Sequence, residues 1–97
     1  MMLIEKGLHS GDIVSLKLIN GDEIIGRYQE ETDTHITVER PLAITIGPQG
    51  LGMMPWMFLG EKDSIKLRKD HVFVYMQSKS DAAGQYIQGT TGLSIVK

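Results

Sequence analysis

Three imidazoles, one dense basic run and a few clustered acids are the side chains in this 97-residue sequence with chemistry to offer. His9, His35 and His71 lie far apart with no metal-ligand spacing, and the absence of cysteine removes thiolate zinc sites and Cys nucleophiles. Glu30, Glu31 and Asp33 share one turn-like stretch, where acids usually serve hydration and keep a strand end from pairing rather than caging a cation. There is no Gly-x-Ser-x-Gly elbow and no His-Glu-x-x-His, and Gly47–Gly52 lacks the Gly-Lys-Ser/Thr of a phosphate cradle. The chain is therefore read as a non-enzyme without metal or cofactor. What remains suits binding: a flat imidazole at His35, a flat and permanently charged guanidinium at Arg68, and the local cluster Lys66-Leu67-Arg68-Lys69. Each also has a plainer reading, as an ordinary surface histidine and a solvated basic turn.

Those side chains must be positioned by a small fold. Ten Lys plus Arg stand against twelve Asp plus Glu, 41% of residues are apolar, and the formal charge is -2, which describes one small globular domain without a whole-surface affinity for polyanions. Charge is uneven: residues 1–40 hold eight acids and four bases, residues 61–79 three acids and five bases. The lack of cysteine and of a charged-then-apolar leader leads to the expectation of a reducing cytoplasm. Residues 41–60 are uncharged but contain Pro41, Pro48 and Pro55 and four glycines, which argues against a membrane helix.

Along the chain, the first dozen residues could form a turn or two of helix ending at Gly7. Val14, Leu16 and Leu18 alternate with polar residues as in a half-buried strand, Asn20-Gly21 is a hairpin turn, and the return strand carries Gly26 where a sharp bend is expected. Ile36, Val38, Leu42, Ile44 and Ile46 keep one parity, interrupted only by Arg40. After the Gly47–Gly52 loop, the segment Met53 to Leu59 resumes the strand as one side of a long hairpin, with Pro55 marking a bulge or an edge. Residues 64–68 and 71–77 make two more short strands, the last apolar on both faces and so expected to be covered twice. Residues 80–97, with glycines throughout, read as a flexible tail or a docked arm. The sum is a mainly β domain of about five short antiparallel strands.

Gly21-x4-Gly26-x-Tyr28, Asp33-x-His35-Ile36-Thr37-Val38 and Leu67-Arg68-Lys69-Asp70-x-Val72 together resemble the two motifs of the Sm-like (Lsm/Hfq-like) family, over residues 12–77. The uncharged hairpin with its Met-Pro-Trp segment looks most like the phage-borne members. The resemblance implies a single domain over residues 1–79, built as a strongly bent five-stranded open barrel with a long hairpin between strands 3 and 4. It also implies ring-shaped homo-oligomers in which the 57–67 region of one subunit pairs with Val72–Gln77 of the next. Carried over position by position, it makes His35 a base stacker, Arg68 the opposing plane, Asp33 an orienter and Thr37 a hydrogen-bonding residue, with Lys69 beside them. The chain departs from the family pattern at three points: one extra residue between Gly26 and Asp33, Thr37 where Asn is usual, and Lys69 where Gly is usual.

The function so implied is binding of single-stranded, U- or A/U-rich RNA, as an RNA chaperone or regulator. Its physics is coherent, because single strands are recognised by sandwiching unstacked bases between flat side chains, and a ring multiplies weak contacts through effective concentration. The competing expectation is a scaffold of the same fold that binds protein through residues 47–59 or the tail, motivated by the acidic balance, Thr37 and Lys69. Trp56 with Met53, Met54, Met57 and Phe58 is expected to be a subunit interface, with core or an exposed docking patch as the other possibilities.

Overall fold

A computed structural model of the chain describes residues 7–57 and 59–95. They form strands β1 (Ile13–Leu18), β2 (Glu23–Glu31), β3 (His35–Gly47), β4 (Gly50–Pro55), β5 (Ser64–Arg68) and β6 (Val72–Gln77), followed by helix α1 (Ser80–Ile95). A single 3₁₀ turn at Lys69–His71 joins β5 to β6. All pairings are antiparallel, in the order β4-β3-β2-β1-β6, with β5 also pairing β3. The sheet is not closed, since among the described residues β5 and β6 are not paired with each other. No helix among those residues is long and apolar enough to cross a membrane.

The β1–β2 hairpin forms where the sequence places Asn20-Gly21. Gly21 adopts φ 99°, and the Asn20 side-chain oxygen accepts from the Asp22 amide at 3.0 Å, so the turn is held by its own residues. The bend expected at Gly26 is present and has a partner. In the β2–β3 ladder Ile25 pairs Leu42 and Arg27 pairs Glu39, so Arg40 and Pro41 together oppose the single Gly26. This is a bulge, and it bends both strands. A Cβ on Gly26 would stand 3.1 Å from the Glu39 carbonyl oxygen and 3.3 Å from Val38 Cβ, a crowding that the neighbouring strand would have to relieve by a few tenths of an ångström. Arg40 takes the left-handed conformation, φ 45°, which costs a non-glycine residue about 1 kcal/mol or more. Its amide donates to the Asp63 carbonyl at 2.7 Å and its guanidinium pairs with the Asp63 carboxylate at 3.6 Å, which helps hold that conformation.

The bulge divides β3 between two partners and two cores. Residues 35–39 pair with β5, and residues 42–47 pair with β4. Ile36 and Val38 join Val14, Leu16, Leu18, Ile24 and Tyr28 in the main core, with Trp56, Leu67, Val72 and Tyr75 packed around it. Leu42 and Ile44, of the same sequence parity, instead reach a second cluster of Ile13, Ile25 and Tyr86 on the opposite face of the sheet. The single parity that Ile36, Val38, Leu42, Ile44 and Ile46 share in sequence is thus split in space at Arg40, and Ile46 is 81% exposed.

The structure departs from the sequence reading at several points. The short helix expected to end at Gly7 falls on residues 1–6, which lie outside the described residues; residues 7–12 hold a turn at Ser10–Gly11 with Gly11 at φ 101°. Among the described residues the α-helix is C-terminal, so residues 80–95 form a docked helical arm rather than a flexible tail. The sheet has six strands rather than about five, and the return strand of the long hairpin runs over Gly50–Pro55 rather than Met53–Leu59, with the turn shortened to residues 48–49; of the two readings of Pro55, a bulge or an edge, the strand lies at the edge. Helix α1 has poor intrinsic propensity, with Gly84, Gly89 and Gly92 inside it, and its stability must come from packing. Tyr86, 1% exposed, supplies that contact, and Ala82 and Ala83 let the helix approach the sheet. Among the described residues the double cover expected for residues 71–77 is not formed: Val72 and Tyr75 pack inward, while Phe73 and Met76 are 76% and 58% exposed.

The Tyr86 hydroxyl donates to the carbonyls of Glu39, at 2.8 Å, and Arg40, at 3.1 Å, tying α1 directly to the bulge. Tyr86→Phe is expected to lower unfolding stability by about 1–2 kcal/mol, read as a lower urea midpoint with unchanged slope. An unchanged midpoint would show that the helix does not support the bulge.

Candidate functional site

Four of the chemistry-bearing residues meet on one ladder. In the β3–β5 pairing His35 stands opposite Arg68 and Thr37 opposite Lys66, while Ile36 pairs Leu67 between them. Because side chains alternate across a strand, Ile36, Val38 and Leu67 turn into the main core and the quartet His35, Thr37, Lys66 and Arg68 shares the outer face. Lys66 and Arg68 are exposed, and His35 and Thr37 are half-buried.

The ends of the two strands are stitched together. The Thr32 amide donates to the His35 carbonyl at 2.8 Å, and the Thr32 hydroxyl accepts from the amides of Thr34 and His35 at 3.3 and 3.1 Å. The Lys69 amide donates to the Thr34 carbonyl at 2.8 Å, so the β2–β3 turn and the β5–β6 turn form one unit. The imidazole is held by its neighbour, with His35 Nδ1 and the Thr34 hydroxyl 2.8 Å apart. Asp33 lies exposed at the tip of this turn and makes no hydrogen bond or ion pair among the described residues. The residue that orients His35 is Thr34, and sequence reasoning did not single it out.

Arg68 is oriented by Asp70. Its Nε and Nη2 donate to the two oxygens of the Asp70 carboxylate at 3.2 and 2.9 Å, a bidentate pair that uses one edge of the guanidinium and leaves its faces unused. Hydrogen bonding to Arg68 holds the Asp70 carboxyl below its ordinary range. Since both side chains are largely exposed, this pair defines geometry more than it adds stability.

Lys69 turns away from the quartet into a network the sequence did not reveal. Its ammonium lies 2.7 Å from Glu31 Oε2, which also accepts from the Tyr75 hydroxyl at 2.7 Å, while Glu31 Oε1 accepts from Tyr28 at 3.0 Å. Tyr28 and Glu31 can meet although three apart in a strand because the β2–β3 register shifts between Tyr28 and Glu30. Burial works against ionising Glu31, but hydrogen bonds from Lys69, Tyr75 and Tyr28 outweigh it and set the carboxyl below its ordinary value. Burial, reinforced by the bond to Glu31, pushes the Tyr28 hydroxyl up to about 12. The basic run is therefore largely neutralised internally, and Lys66 is its member without an ion pair among the described residues. An acid also flanks the quartet, since Glu30 pairs Thr37 in register.

Trp56 packs on the main core and Met53 on the second cluster, while Met54 and Met57 are 42% and 48% exposed; Phe58 lies outside the described residues. Among the described residues no group of three or more His, Asp or Glu is arranged to hold a metal ion. No protein-family model matches the chain, and no curated protein matches it.

The Glu31 network makes a pH prediction. A carboxyl whose folded value is lowered contributes stability that is fully present above its ordinary value of 4.5 and lost as the pH falls through the folded value. Glu31→Gln is thus expected to cost about 1–3 kcal/mol at pH 7, with the gap from the parent closing in acid. Tyr28 acts with the opposite sign, and its contribution fades as the pH rises from 10.0 towards about 12. Urea unfolding across pH checks both, and a gap that persists undiminished at pH 3 would show that Glu31 is not the ionised centre.

Proposed function

We propose that the chain is a subunit of a ring-forming Sm-like protein that binds single-stranded, U- or A/U-rich RNA and acts as an RNA chaperone or regulator without catalysis. The observation that carries this reading is the register of β3 against β5, which sets a flat imidazole directly across from a flat guanidinium on an exposed face. Unstacked bases are held in this way, between planes that need no particular base sequence. The Asp70 pair supports it, because it fixes the orientation of the Arg68 plane without occupying its faces. With Lys69 committed to Glu31, affinity rests on stacking and on Lys66 and Arg68 rather than on a broad positive field.

The architecture supports the same family. Leaving β4 aside, the order β5-β3-β2-β1-β6 is a five-stranded antiparallel sheet bent at Gly26 and Arg40, with outer edges on β5 and β6 that no other strand of the described residues pairs. Exposed edges must be paired, covered or blunted, and β6 instead presents Phe73, Val74 and Met76 to solvent. Pairing of β5 in one subunit with β6 of the next, closed by rotation, removes both edges and brings that apolar strand to the contact between subunits. The second reading, a protein-binding scaffold on the same fold, draws on Glu30 beside Thr37 and on the acid partners of Arg68 and Lys69.

Labelled oligouridine is expected to bind the purified protein, with binding weakened about tenfold or more by His35→Ala and by Arg68→Ala. Arg68→Lys, which keeps the charge and loses the plane, is expected to rescue little. Light scattering should give an oligomer mass unchanged by these substitutions. No binding at low salt, or equal binding by the Arg68→Ala protein, would favour the scaffold instead.

A further inference from the structure

A cleft on the core side of β5 shares Arg68 with the quartet. Leu18, Ile19 and Asn20 from the β1–β2 turn, Trp56, and Leu67, Arg68 and His71 enclose about 330 Å³. Its walls are tied together. The Ile19 amide donates to the His71 carbonyl at 3.0 Å, the Trp56 amide to the Pro41 carbonyl at 3.0 Å, and the Trp56 indole N–H to the Asp22 carboxylate at 3.4 Å. The indole is thereby held in place, packed on the core yet lining the cleft. Such a preformed, mainly apolar cleft with a few polar groups is the usual form of a small-ligand site.

Its chemistry suits a flat heteroaromatic ring. Trp56 offers a π-face, and Leu18 and Leu67 offer apolar contact. Asn20 spends one side-chain N–H on Asp22 and one oxygen lone pair on the Asp22 amide, which leaves one donor and one acceptor for a base edge. Arg68 belongs to both places, lining this cleft while standing opposite His35. We infer that the cleft is a purine-nucleobase site, placed to receive the nucleotide next to the one held at His35 and Arg68, and in that placement it rests on the RNA-binding reading. A purine is favoured over a pyrimidine because the bicyclic ring covers more of the indole and the volume accommodates a whole nucleoside.

Trp56 is the single tryptophan of the chain, so its fluorescence reports on the cleft directly. Titration of the full-length protein with adenosine monophosphate is expected to quench Trp56 saturably, with uridine monophosphate at least about fivefold weaker. Ile19→Glu, at a position 61% exposed, puts a carboxylate at the mouth without touching the core and should abolish the quenching while circular dichroism and melting stay unchanged. One adenosine added at one end of oligouridine should tighten binding at least about fivefold, and this gain should vanish in the Ile19→Glu protein. Quenching no greater than that of free N-acetyltryptophanamide would overturn the inference, as would equal response to both nucleotides, or no gain from adenosine at either end while plain oligouridine binds. If adenosine monophosphate quenches Trp56 but oligouridine does not bind, the RNA reading fails and the purine site stands.

Discussion

The fold turns on the two-against-one bulge at which Arg40 and Pro41 oppose Gly26. Without it β3 would run straight and keep one partner along its length. With it, the first half of β3 pairs β5 over the main core, and the second half leaves with β4 towards the second cluster. The bulge carries a real cost in the left-handed Arg40, and the structure offsets it from three sides: Asp63 on the backbone and side chain of Arg40, the space left by Gly26, and the Tyr86 hydroxyl on the two carbonyls. Helix α1 is therefore part of the mechanism that bends the sheet, and only secondarily a cover for its outer face.

The same constraint builds the candidate site. Because the bend frees the first half of β3 to pair with β5, His35 and Arg68 come into register, and the following 3₁₀ turn brings Asp70 back to orient the guanidinium. The Glu31 network then locks that turn to β2 and β6 through Lys69, Tyr28 and Tyr75. The electrostatic result is a nearly neutral patch with flat side chains on a net acidic chain. On the proposed reading such a surface binds through stacking rather than through a charged field, and weak individual contacts of that kind gain most from repetition around an assembly.

Much of the strand pattern was legible because a half-buried strand must alternate, as Val14, Leu16 and Leu18 do, and because Asn20-Gly21 admits few conformations other than a tight turn. Helix α1 was not legible: its glycines oppose helix, and the Tyr86 contact that stabilises it exists only once the sheet is folded. The bend at Gly26 could be read locally, whereas its counterpart at Arg40 could not, since nothing in an arginine announces a left-handed backbone. At the site, the motif spacing singled out His35 and Arg68, and the register sets them opposite each other. The partners that fix them, Thr34, Asp70 and Glu31, depend on bulges and turns that shift which residues meet. Lys69 shows the limit most clearly, because one position beyond Arg68 in sequence it joins a different network altogether.

The most direct test is ultraviolet crosslinking of 4-thiouridine-substituted oligoribonucleotide to the protein, with the modified peptides identified by mass spectrometry. Crosslinks are expected to concentrate on the peptides that contain His35 and Arg68, on the outer face of the β3–β5 ladder. Crosslinks confined to other surfaces, or none under conditions where the RNA is bound, would contradict it.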